Sequence, residues 1–143
     1  MNINNIEITK LIPQQNPMIM VDKLLSYSEK EVQTTFTIKT NNIFICNNVL
    51  QEVALIENIA QTAAAGTGYN ALLKSTPPQK GFIGAVKNFE VYKRPIINDI
   101  LVTKLTVITE IFNASIVLGE IFCNNSLIAK AELKIFLLEE NNR

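Results

Sequence analysis

The sequence predicts an α+β fold in which an antiparallel sheet curls around one long buried helix. Three observations predict it. The stretch from about Val49 to about Lys74 is thin, with Ala54, Ala60, Ala63, Ala64, Ala65, Gly66 and Gly68, and Val53, Leu55, Ile56 and Ile59 make it apolar on most sides. A helix apolar nearly all round is buried, and a thin one lets surrounding backbone approach closely. Strand-like segments lie on both sides of it, several alternating polar and apolar as half-buried antiparallel strands do.

Taken in order, Ile6–Ile12 is a short mixed segment. It leads into Pro13-Gln14-Gln15-Asn16-Pro17, a loop fixed by two prolines. Residues Met18–Leu25 are apolar enough to be buried. In Val32–Ile38, Val32, Thr34, Phe36 and Ile38 share one side and Gln33, Thr35 and Thr37 the other, which predicts a half-buried strand. Asn47-Asn48 is placed to cap the helix, since a short side-chain oxygen accepts from orphan amides. Thr76-Pro77-Pro78-Gln79 ends that helix. Four strands are predicted after it: Phe82–Tyr92, Ile100–Phe112, Ser115–Cys123 and Leu127–Leu138, with tight turns at Asn113-Ala114 and Asn124-Asn125-Ser126. In the last strand Ala129, Ala131, Leu133 and Ile135 face the core, and Lys130, Glu132 and Lys134 face water.

The 143 residues fit a single domain spanning 1–143, and 48% hydrophobic residues supply a core. Thirteen Lys+Arg balance thirteen Asp+Glu, so neither a nucleic-acid partner nor a polybasic membrane surface is expected. The chain contains no His. Ser-His-Asp and Cys-His catalysis and His-ligated metals are thereby excluded. Cys46 and Cys123 form no metal-spaced pair, and they leave a reducing compartment and a single disulfide both open. No metal and no cofactor is expected. The first five residues lack the basic and apolar regions of a secretion signal, and no apolar run approaches a membrane span. The expectation is a soluble, cytoplasmic protein. Seventeen Asn and twenty Ile are a bias with no functional reading.

Four segments carry a family resemblance. Ile12-Pro13-Gln14-Gln15-Asn16-Pro17-Met18-Ile19-Met20-Val21-Asp22 resembles an L-P-H-R-x-P-F-L-L-V-D opening, and Leu55-Ile56-Glu57-Asn58-Ile59-Ala60-Gln61 resembles an L-x-E-A-x-A-Q helix signature. Lys93-Arg94-Pro95-Ile96-Ile97-Asn98-Asp99 resembles R-R-P-V-x-P-G-D, and Leu127–Leu133 resembles the closing strand L-V-A-x-A-x-L. Together they resemble the hotdog-fold (3R)-hydroxyacyl-[acyl-carrier-protein] dehydratases. The resemblance implies a hotdog fold, an acyl thioester ligand, an acyl carrier protein as partner, and a place in fatty-acid or pigment-polyene synthesis.

In that family a His abstracts the proton beside the thioester carbonyl, and a helix carboxylate helps expel the 3-hydroxyl. Backbone amides at the helix N-terminus hold the developing oxyanion. The resemblance makes Glu57 the carboxylate. The His of the family's G-H-F-P motif lies fourteen residues earlier, where this chain has Ile43 in the run Asn42-Ile43-Phe44-Ile45. Isoleucine takes no proton, so dehydration by this chain alone is expected to be lost or strongly weakened.

The remaining candidates each have an ordinary alternative. Glu57 on a buried helix is either functional or structurally bonded to the sheet. Gln61, one turn on, positions a thioester or a water, or is a buried amide bonded to backbone. Glu52 and Val53 stand where the family's oxyanion amides lie, with a Cβ at 52 where the family has Gly. Cys46, close to the missing His, is a base or, more ordinarily, a small buried thiol. Phe44, Phe82 and Gly84 line an acyl tunnel or pack the core. Lys87, Lys93 and Arg94 meet a carrier protein or form a solvated strand face.

Three functions follow. The first is an acyl-thioester-binding dehydratase relative, with a non-catalytic subunit lending Glu57 to a His-bearing partner as one form of it. The second is a thioesterase using Glu57. The third is a binding module holding an acyl chain. A homodimer is the default because a curled sheet leaves an edge to cover.

Overall fold

The computed structural model describes residues 2–138. Two short 3₁₀ turns, Ile3–Asn5 and Ile8–Lys10, precede strands β1 (Lys23–Tyr27) and β2 (Glu31–Thr37). A small hairpin follows, β3 (Ile45–Cys46) and β4 (Val49–Leu50), and leads into α1 (Glu52–Lys74). Four long strands complete the chain: β5 (Gly81–Val91), β6 (Ile100–Ile111), β7 (Ala114–Cys123) and β8 (Ser126–Leu137). Six strands form one antiparallel sheet in the order β1-β2-β6-β7-β8-β5, and α1 lies against its inner face.

The alternation in the sequence maps onto that sheet. Val32, Thr34, Phe36 and Ile38 are all buried, as are Ala129, Ala131 and Leu133. The outer face carries a row of alternating charge in which Lys104 faces Glu120 and Glu120 faces Lys130. Glu31 and Glu90 extend the row with ion pairs to Lys104 and Lys130 at 3.8 and 3.7 Å.

The helix is thin for two reasons. Gly66 sits against Val32 and Gly68 against the backbone of Leu11, where an added Cβ would stand 1.9 Å from the Leu11 carbonyl oxygen. On another face Ala60, Ala63 and Ala64 border open space. The expectation of burial on most sides is met only in part: Leu55 and Ile59 are fully buried, whereas Val53 is 55% exposed.

Asn47-Asn48 does not cap the helix. Both residues have positive φ (53° and 64°) and form the two-residue turn between β3 and β4. That backbone matches the right-handed twist of hairpin strands, and asparagine tolerates it. The helix starts later, at Glu52, and its N-cap Gln51 gives no side-chain bond. Asn124-Asn125 makes the same turn between β7 and β8, with φ of 51° and 64°. All five glycines have ordinary φ, while six of the eight residues at positive φ are asparagines. The asparagine bias thus serves turns that glycine often fills. The β6–β7 turn falls on Phe112-Asn113, one residue before the expected place, with Phe112 at φ 56°.

The two sheet edges differ. The first 3₁₀ turn packs against β1. Strand β5 is the other edge, and its Phe82, Ile83 and Val86 are 50%, 37% and 40% exposed.

Candidate functional site

The second turn of α1 brings the polar residues of the helix signature together. Gln61 is fully buried and uses both ends of its amide. Its Oε1 accepts from the Met20 amide at 2.7 Å, and its Nε2 donates to the Met18 carbonyl at 2.8 Å and to Glu57 Oε1 at 2.9 Å. Residues four apart on a helix share a face, which is why the spacing permits the last bond. Asn58, also buried, donates to the Met20 carbonyl at 2.7 Å and accepts from the Thr103 hydroxyl. Thr62 donates to the Asn58 carbonyl and shares a bond with Thr34. The segment Met18–Met20 is thereby strapped to the helix. Two side-chain amides thus supply bonds to this non-strand segment, and the buried amides of Gln61 and Asn58 are bonded at both ends.

Glu57 is half-buried and lines a cavity of about 670 Å³. Ala60, Ala63 and Ala64 make the helix wall, Pro13 and Gln14 belong to the N-terminal wall, and Phe82 comes from β5. Small side chains on this face leave room where larger ones would fill the space. Tyr27 also lines the cavity. Burial, and then the charges of Glu29 and Glu110, push its hydroxyl above the ordinary phenol range.

Among the sequence-predicted residues, only Glu57 and Phe82 line this cavity. Phe82 also stacks on Phe136 with ring centroids 5.5 Å apart. Gly84 lies at a bulge of β5 under the Phe136 ring, where a Cβ would come within 2.2 Å of a ring carbon. Ile43 and Phe44 lie in the loop leading into β3. Asn42 holds that loop, accepting from the Phe44 amide at 2.8 Å and donating to the Met20 sulfur at 3.3 Å. Phe44 in turn accepts from the amide of Gln51, which places it beside the start of α1. Ile43 is 48% exposed.

At the helix start, Glu52 pairs with Arg94 at 3.4 Å, and no described residue accepts from the amides of Glu52 or Val53. The stretch Lys93–Asp99 docks on the β3–β4 hairpin: Leu50 donates to Pro95, and Val49 bridges Ile96. Lys87 faces Glu132 across β5 and β8. Cys46 is exposed at the hairpin rather than buried, because the Asn47-Asn48 turn ends the strand beside it. Cys123 is partly buried, and burial followed by the charge of Asp99 pushes its thiol up.

Sequence reasoning missed Asn58, Gln14 and the Arg94–Glu52 pair. Asn58 had a signal: a polar residue on an otherwise apolar buried helix needs a partner. Among the described residues, no helix is long and apolar enough to cross a membrane.

A family model described as ApeP-like, ApeP dehydratase, matches residues 6–143. No curated protein matches. Among solved structures, the dehydratase heterocomplex ApeI:P from Xenorhabdus doucetiae matches with a TM-score of 0.87 and 14% identity, covering 94% of this chain and 93% of that one. A mutant hypothetical thioesterase from Streptococcus pneumoniae matches with a TM-score of 0.66 and 13% identity, over 82% and 91%. The E. coli PaaI protein of the phenylacetic acid degradation operon matches at 0.65 and 13%, over 79% and 80%. These likenesses show the hotdog fold: one long helix packed on a large antiparallel sheet.

Proposed function

Since the chain belongs to the ApeP-like family of dehydratases, we propose that it is the histidine-free subunit of a two-chain dehydratase. In this reading it binds 3-hydroxyacyl thioesters of an acyl carrier protein and supplies Glu57 to a site whose base comes from the second chain. The observation that carries the reading is a carboxylate held at a cavity wall by Gln61 in a chain with no His. Glu57 Oε1 is occupied by Gln61, which leaves Oε2 for the ligand. Ile43 takes the family's His position and offers no proton acceptor, so the carboxylate has no base of its own chain to work with.

The roles of the other residues belong to the same reading. The unpaired amides of Glu52 and Val53 stabilise negative charge on the thioester oxygen, as helix N-terminal amides do. Phe82 and the alanine face of α1 enclose the acyl chain, with Phe44 and Gly84 at its borders. Lys87, Lys93 and Arg94 meet the acidic carrier protein. The exposed apolar residues of edge strand β5 support pairing with a second chain. The Xenorhabdus doucetiae relative, a dehydratase heterocomplex, supports a partner that is not a second copy.

The test is intact mass spectrometry of a 3-hydroxyacyl carrier protein. It is incubated with this chain alone, with a hotdog partner bearing an intact G-H-F-P motif, and with both. The reading predicts no change with this chain alone and loss of one water, faster than with the partner alone, when both are present. Loss of water with this chain alone would contradict the subunit role. Release of the free carrier thiol by this chain alone would replace it with a thioesterase resting on Glu57.

A further inference from the structure

Gln14 sits in the Pro13–Pro17 loop and lines the same cavity as Glu57. Its side-chain Oε1 is buried and has no donor, and it is the only buried side-chain polar atom so placed among the described residues. The contrast with Gln61 and Asn58 is direct, since those amides are bonded at both ends. Buried polar atoms are paired as a rule, and an exception asks what partner completes it. Because Gln14 also lines the cavity, an occupant can supply that partner once the amide turns its enclosed oxygen toward it.

The chemistry of the missing partner is constrained. An amide oxygen only accepts, so the occupant must bring an O–H or N–H. A saturated acyl chain brings neither. Ala60, Ala63, Ala64 and Phe82 of the same cavity suit the hydrocarbon part of a ligand, which favours a donor carried on the acyl chain over one on the carrier arm. A glutamine's terminal torsion is soft, which lets the amide turn toward the cavity when such a donor arrives.

We propose that Gln14 selects the substrate: its side-chain oxygen accepts from the hydroxyl of a 3-hydroxyacyl thioester, so the cavity takes hydroxyacyl groups in preference to saturated ones. This rests on the reading that the cavity holds acyl thioesters.

The experiment compares equilibrium binding of two N-acetylcysteamine thioesters of equal chain length, one 3-hydroxyacyl and one saturated, to the wild-type chain and to Gln14→Met. Methionine keeps the length and removes the acceptor. The wild type is expected to favour the hydroxyacyl ligand about tenfold, and the variant to bind both at the saturated level. Removing an unpaired buried acceptor also raises the melting temperature of the free protein, by about 2–4 °C. This sign is opposite to the loss expected from an ordinary packing residue. Gln14→Leu serves as a second variant if Gln14→Met folds poorly. A hydroxyl preference that survives both substitutions overturns the role of Gln14 alone. An equal loss for both ligands places the bond on a group they share and overturns hydroxyl selection. A wild type that binds neither ligand overturns the acyl-thioester reading together with this inference.

Discussion

Gln61 Nε2 donates to Glu57 Oε1 at 2.9 Å, one helical turn away, while the same amide clamps the Met18 carbonyl and the Met20 amide. One side chain therefore fixes both the orientation of the cavity carboxylate and the position of the segment that runs past it. Replacing Gln61 with Met would strip partners from the buried Met20 amide and the partly buried Met18 carbonyl. The expected cost is about 2–4 kcal/mol, seen as a drop in melting temperature of about 8 °C. A change under about 1 °C in thermal unfolding would mean that the clamp contributes little.

The glycines of this fold are ranked by what surrounds them. A Cβ at Gly68 would meet the Leu11 carbonyl, which is backbone, whereas a Cβ at Gly84 would meet the half-buried Phe136 ring, a side chain that can shift. Gly68→Ala is expected to destabilise by about 3 kcal/mol or more, and Gly84→Ala by about 1 kcal/mol. Urea unfolding of both variants checks the order, and the reverse order would contradict it.

Tyr27 gives the alkaline limb of stability a residue. Its hydroxyl is held above 10.0, first by burial and then by Glu29 and Glu110. The folded state therefore keeps a proton that the unfolded state gives up once the pH passes the ordinary phenol value. Stability from this group is complete below about pH 10 and falls as the pH climbs from there through the raised value. Tyr27→Phe is expected to flatten that part of the fall. An unfolding series from pH 9 to 11 (about one unit on either side of the ordinary value) with identical slopes in both proteins would count against it.

The two thiols should react at different rates. Cys46 is exposed at the hairpin, while Cys123 is partly buried with its thiol pushed up by burial and by Asp99. The thiolate is the reactive form, so a maleimide at neutral pH should modify Cys46 first. Cys46→Ser should remove the fast phase, and survival of that phase in the variant would assign it to Cys123.

Much of this arrangement was legible in the sequence, and what was not has a common cause. The alternation of Val32, Thr34, Phe36 and Ile38 placed β2 and its buried face, because a period of two has one structural meaning. The helix signature singled out Glu57 and Gln61. The bonds of Gln61 to Met18 and Met20 span more than forty positions, and no local pattern reports such a meeting. Asn47-Asn48 was legible in kind and misread in role, since the same asparagine chemistry serves a helix cap and a hairpin turn. The cavity was hidden because it depends on how the Pro13–Pro17 loop passes the alanine face of α1.

The central claim is that this chain contributes the carboxylate and not the base. The most direct measurement is the rate of water loss from a 3-hydroxyacyl carrier protein in the two-chain mixture, with wild-type or Glu57→Gln forms of this chain and an unaltered His-bearing partner. The account predicts that Glu57→Gln lowers the mixed rate by at least about a hundredfold, toward that of the partner alone, with complex formation unchanged. A mixed rate indifferent to Glu57 would contradict it.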